Sequence, residues 1–184
     1  MSAEPGRPPV ALLPLTPAQI RIAQKIADGK NTDTITKELS IAAGTITVQM
    51  QHCGQKLGVR GRAAIIHAGF VTEQLQRPDK VPFPGAFSPP EIETWRMVAI
   101  GATTKQISVR SSISRDRAQK RIRALRKRVN AANDPHLVTL GWAYDVLDES
   151  LVDMASGTVL RVPIRRWPAH AAVSVALGKL PTHR

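Results

Sequence analysis

The chain has 184 residues, 42% of them apolar, a net charge of +12 and one cysteine, Cys53. That length allows one or two small domains, and the lone cysteine excludes an internal disulfide and fits a reducing compartment. No apolar run approaches the roughly 18 residues of a membrane span, and no signal peptide opens the chain, so the sequence is expected to be cytoplasmic.

Residues 1–14 hold Pro5, Pro8, Pro9 and Pro14 and are expected to form a flexible arm. Thr16-Pro17 opens a first helix with a hydroxyl cap and a proline in its first turn. Ile20, Ala23, Ile26 and Ala27 recur at helical spacing, and Gly29 ends the helix as a left-handed cap. Asn31-Thr32-Asp33 caps a second helix with Ile35 and Leu39 inward, and Ser40 to Gly44 forms a short turn. A third helix is expected over 45–57, with Ile46, Met50, Cys53 and Leu57 on one face and Gly58 at its end. A fourth runs over 62–75 with Ile65, Ile66 and Phe70 inward.

Residues 76–86 contain Pro78, Pro82, Pro84 and Gly85 and suggest a stiff spacer. Beyond them the first 61-residue stretch returns. A shift of 72 places Leu15-Thr16-Pro17 on Phe87-Ser88-Pro89, Gly29 on Gly101, Thr32 on Thr104, Ile41 on Ile113, Gly69 on Gly141 and Leu75 on Leu147. A repeat this long is a duplicated small domain rather than a solenoid unit. The chain is therefore expected to be all-α: an arm (1–14), two four-helix domains (15–75 and 87–147), a Pro-rich linker (76–86) and a tail (148–184). In the second copy Ser88 opens helix one, Thr104 caps helix two and Ile107 points inward. Helix three buries Ala118, Ile122, Leu125 and Val129, and Asp134-Pro135 opens helix four with Leu137, Leu140, Trp142 and Leu147. In the tail, 158–164 has a weak strand alternation and 169–177 a short helical pattern.

Two short helices joined by a tight turn, the second amphipathic with a polar outer face, form a helix-turn-helix. Leu15-Thr16-Pro17, Ile26-Ala27-Asp28-Gly29-Lys30-Asn31, Gly44-Thr45-Ile46 and Lys56-Leu57-Gly58-Val59-Arg60 closely resemble the LuxR/NarL (GerE-type) DNA-binding domain, with the second copy resembling it more weakly. The resemblance implies a transcriptional regulator that binds double-stranded DNA with helix three in the major groove. It implies Thr45 as a phosphate contact, Thr47, Val48 and Gln51 as base readers, Gln49 among the DNA-binding residues, and Lys56, Arg60 and Arg62 on phosphates. It also implies a homodimer through helix four, RNA polymerase as a further partner, and a bacterial, nucleoid-associated location. Thr47 and Gln49 depart from the family's usual residues.

The charge is unevenly placed. Residues 15–75 carry 7 Lys/Arg against 4 Asp/Glu, a net of +3; residues 87–147 carry 11 against 5, a net of +6. On the second helix three Lys120, Arg123 and Lys127 share the outer face, with Arg115, Arg117, Gln119, Arg121, Arg126 and Arg128 around them. A helix this basic gains little from internal pairing, and such cations suit a polyanion. Asp116-Arg117-Ala118 replaces the Gly-Thr-Val signature, which favours backbone contacts, and these carry no sequence information. If extended, the 11-residue linker spans roughly 34 Å, near the spacing of half-sites one DNA turn apart; it could equally fold back.

Other functions are weighed against this. His52, His67, His136, His170 and His183 are scattered without metal spacing, Cys53 sits at a core position, and no phosphate loop or carboxylate pair stands out, so no cofactor or enzyme activity is expected. Aromatic content of 4% lacks the stacking platforms of single-stranded RNA binders. The competing reading is an RNA polymerase-associated adaptor. Its first copy, with apolar His67-Ala68-Gly69-Phe70-Val71, serves assembly, and only the second copy contacts DNA, largely nonspecifically.

Overall fold

The computed structural model describes residues 13–151. The arm apart from Leu13 and Pro14, and the strand and helix expected at 158–164 and 169–177, lie outside the described residues. Those described form eight helices: α1 (Pro17–Ala27), α2 (Thr32–Leu39), α3 (Ala43–Leu57), α4 (Arg62–Val71), α5 (Pro89–Ala99), α6 (Thr104–Arg110), α7 (Arg115–Arg128) and α8 (Asp134–Ala143). No strand occurs among the described residues, and no helix there is long and apolar enough to cross a membrane.

Local chemistry sets the helix ends. Thr16 and Gln19, Ser88 and Glu91, and Thr103 and Gln106 form capping boxes at α1, α5 and α6. The cap of α6 is thus Thr103, one residue before the expected Thr104, because only Thr103 has Gln106 three places into the helix. Helix α3 begins at Ala43 rather than 45, and α4 stops at Val71 rather than 75. Glu73 turns left-handed (φ 57°), the amides of Gln74 and Leu75 both return to the Gly69 carbonyl, and Leu75 folds over Gly69.

The second half repeats the first in its backbone. The left-handed positions Gly29, Ser40, Gly58 and Glu73 recur 72 residues on at Gly101, Ser112, Asn130 and Asp145. Residues from both halves share one continuous buried cluster. Its centre is α4, whose residues Ala63 to Phe70 are all buried, the pattern of a helix covered on every side. Helix α4 packs on α8, α1 also packs on α8, and α5 packs on α4.

These contacts are reciprocal, as an internal two-fold requires. Gly29 lies on His136, and its equivalent Gly101 lies on Ala64, the equivalent of His136. Two residues meet their own equivalents. The Phe70 and Trp142 rings sit edge-on with centroids 5.7 Å apart, and Arg77 approaches Glu149 at 3.8 Å; in each pair the numbers differ by 72. A mere translation of one half against the other would not pair a residue with its own copy. The approach is close because small residues make it so: a Cβ at Gly101 would stand 2.6 Å from the Arg60 carbonyl oxygen and 3.0 Å from the Ala64 Cβ.

Polar groups at this seam find partners. Trp142 donates its indole N–H to His67 Nδ1 (3.0 Å), and His67 Nε2 meets the Leu151 carbonyl (3.0 Å), so Nε2 carries the proton. The Thr139 hydroxyl donates to the Ala27 carbonyl (2.8 Å). His136 Nδ1 accepts from the Ala132 amide (3.1 Å), and burial lowers its pKa, partly offset by the Asp28 charge.

The linker is folded back rather than extended. Val81 donates its amide to the Ala143 carbonyl (2.9 Å) and Lys80 pairs with Asp145. Phe83 stacks on Phe87 at 4.3 Å and leans on Tyr144 at 5.0 Å. The separation of the two halves is therefore set by helix packing, and the spacer length does not define it.

Replacing Trp142 with Ala removes the ring pair, the bond to His67 and the Arg77 cation–π contact at 4.9 Å. Urea unfolding should show a loss of about 3–5 kcal/mol. Gly101→Val combines a left-handed φ of 76° with a backbone clash and should cost roughly 2–4 kcal/mol in the same assay. Gly44→Val, where a Cβ meets nothing within 4 Å, should cost under about 1 kcal/mol.

Candidate nucleic-acid interface

In the first half α2 and α3 form the helix-turn-helix, and in the second α6 and α7 are joined by an equivalent turn. Ser40 and Ser112, both left-handed at φ 52°, make the turn. Helix α3 is pinned by buried Ile46, Met50, Cys53 and Leu57, and α7 by Ala118, Leu125 and Val129, with Ile122 half-buried. Burial raises the Cys53 pKa, which leaves it a core thiol rather than a nucleophile. With these faces inward, Thr45, Thr47, Val48, Gln51 and Gln55 on α3, and Arg117, Gln119, Lys120, Arg123 and Lys127 on α7, are exposed at equivalent positions.

The two outer faces differ in charge. On α3 the exposed side chains are neutral; Val48 remains 46% exposed, and the Thr47 hydroxyl bonds back to the Ala43 carbonyl (3.3 Å). On α7, eight of 14 residues are Lys or Arg against one acid, Asp116. The helix tolerates this because Asp116 lies in its first turn and Arg126, Lys127 and Arg128 in its last, where each sign suits the helix dipole. Arg115, Arg117, Arg121, Arg123 and Lys127 have no hydrogen-bond or ion-pair partner among the described residues. Lys120 pairs with Asp116 at 2.9 Å, but both side chains are about 70% exposed, so the pair is weak.

Other expected contacts turn inward. Gln49 accepts from Gln19 Nε2 (3.1 Å) and is half-buried against α1 rather than open to a base edge. Lys56 donates to the Pro14 carbonyl and to Gln19 Oε1, both at 3.0 Å. The equivalent residue, Arg128, donates to the Ala86 carbonyl (2.8 Å) and Glu91 (2.5 Å), and lies 4.9 Å from the Phe87 ring centre. In both halves the last cation of helix three clamps the start of helix one at its capping box. Arg126 is likewise drawn to Asp134 (3.4 Å) and the Ala132 carbonyl. Arg60 and Arg62 stay exposed at the α3–α4 loop. This clamp was missed in the sequence, although Thr16-x-x-Gln19 and Ser88-x-x-Glu91 supply its signal.

A groove of about 960 Å³ opens beside α3. It is lined by Thr47, Gln51, Gln55, Arg60 and Arg62 of the first half and by Ile100, Gly101, Thr103 and Gln106 of the second. Helix four offers no comparable free face: α4 is covered by α8, so the surface expected for a homodimer through helix four is filled within the chain.

Fold and exposed face together define a helix-turn-helix protein. Residues 13–68 match the family model described as bacterial regulatory proteins, luxR family (GerE), which places one LuxR-type helix-turn-helix domain in this stretch. The match does not extend into the second half. No curated protein and no solved structure matches the chain.

The Arg128 guanidinium holds the Glu91 carboxyl down to about 2, helped by the Ser88 hydroxyl and amide. The folded state therefore binds its proton less readily than the unfolded chain. The stabilisation is complete above the ordinary carboxylate range and is lost as pH falls from about 4.5 toward 2. Urea titrations from pH 6 to pH 2.5 should show a smaller acid loss for Glu91→Gln than for the parent chain.

Proposed function

We propose that this protein is a transcriptional regulator that binds double-stranded DNA in a sequence-specific manner through two LuxR-like helix-turn-helix units, with α3 and α7 as the helices that enter the major groove. The family match supports DNA-binding regulation for the first unit. The observation that carries the tandem reading is the second helix three. Its cations at Arg117, Arg123 and Lys127 occupy the positions of Thr45, Gln51 and Gln55, and no protein group satisfies them among the described residues.

The two helices then divide the work. Arg115, Arg117, Arg121 and Lys127 neutralise phosphates and supply affinity. Lys120, Arg123 and Gln119 reach base edges, while Thr47, Val48 and Gln51 read through α3, with Thr45, Arg60 and Arg62 on the backbone. A nucleoid location and contact with RNA polymerase accord with such a regulator.

A second reading is favoured by one observation: α3 presents no cation, and Gln49 and Lys56 are committed to α1. Under it, α7 alone holds DNA, largely nonspecifically, and the first unit serves a protein partner.

Binding titrations across salt separate the two. The triple substitution Arg115→Ala, Arg117→Ala and Lys127→Ala, which removes three phosphate contacts, should lower the log–log salt slope by about 3. Thr47→Ala with Gln51→Ala should weaken discrimination among sites by about 1–3 kcal/mol per lost base contact. Unchanged site choice in that double variant would favour the adaptor reading.

A further inference from the structure

We infer that one chain is a complete reading unit for a pair of inverted and unlike half-sites, one specified by A·T pairs under α3 and one carrying guanine under α7. The inference rests on the DNA-binding reading above and deepens it.

Orientation follows from the internal two-fold. The reciprocal Gly29–His136 and Gly101–Ala64 contacts, and the self-paired Phe70–Trp142 and Arg77–Glu149, relate α3 to α7 by rotation. Two reading helices related by a two-fold meet two half-sites related by the two-fold of the duplex, so the sites run in opposite directions. Copies strung on an extended linker would carry no such constraint. Stoichiometry follows from burial. The α4 face lies under α8 of the same chain, so the second reading helix is already present and no second chain is required.

The unlikeness of the half-sites comes from equivalent positions. Gln51 on α3 stands where Arg123 stands on α7, and Val48 where Lys120 stands. Glutamine pairs two-pronged with adenine N6 and N7, valine packs against a thymine methyl, and arginine pairs two-pronged with guanine O6 and N7. All four side chains project from the exposed faces. The site is therefore inverted in direction and asymmetric in sequence, and the protein lies on it in one orientation.

The test is selection of duplexes from a random pool with the intact chain, followed by native mass spectrometry of the complex on the recovered duplex. The expected result is two inverted half-sites about one DNA turn apart, one A·T and one guanine-bearing, with a single chain per duplex. Gln51→Arg should then exchange adenine for guanine in the first half-site only, and Arg123→Gln should do the converse in the second. Each exchange should shift preference on the order of tenfold. Direct repeats, identical half-sites, two chains per duplex, or one chain bridging two duplexes would each overturn the inference. Duplex binding without any recovered motif overturns it while leaving the DNA-binding reading standing. Absence of duplex binding at low salt sinks that reading as well.

Discussion

The packing of α4 against α8 is the constraint on which the rest of the molecule depends. Neither 61-residue half is large enough to bury a generous core alone. Each contributes a fourth helix that its own half covers on only one side. Ala63, Ala64, Ala68 and Gly69 keep α4 slim enough for close approach, Gly29 and Gly101 let the neighbouring turns come in, and Phe70 with Trp142 fills the seam. The result is one continuous core with a two-fold inside a single chain. The α2–α3 pair and the α6–α7 pair are fixed relative to one another by that seam.

Symmetry of fold coexists with asymmetry of charge. Both third helices have the same inward face and the same clamp onto helix one, by Lys56 on Gln19 and by Arg128 on Glu91. Their outer faces have parted: neutral and small on α3, densely cationic on α7. Folding constrains only the inward residues of a helix, which leaves the outward ones open to serve different ligands. Under the DNA-binding proposal, the neutral face discriminates bases while adding little Coulombic attraction, and the cationic face supplies the attraction.

Much of this architecture was legible from local pattern. Spaced apolar residues placed the core of α3, and Gly29, Gly58 and Gly101 marked helix ends because the chain there needs a left-handed backbone. What failed was anything decided by contacts between halves. Periodicity within a helix says which face is buried and never says what buries it. The apolar His67 to Val71 stretch signalled an assembly surface, and its occupant proved to be α8. Proline content suggested a stiff linker, yet Phe83 and Lys80 anchor that segment to Phe87, Tyr144 and Asp145. Among the site residues, outward spacing matches the exposure of Thr47, Val48, Gln51, Arg123 and Lys127. Gln49 and Lys56 instead bond the buried capping residue Gln19, a contact between helices that spacing within one helix does not reveal.

The most direct measurement is an isotope-filtered nuclear Overhauser experiment on a mixture of labelled and unlabelled chains, observing the Phe70 and Trp142 ring protons. The internal two-fold requires contacts between these rings within one chain, at any protein concentration. Contacts only between labelled and unlabelled chains would mean that the seam joins two molecules. No contact at all would mean two modules swinging on a linker, and the internal two-fold would be wrong.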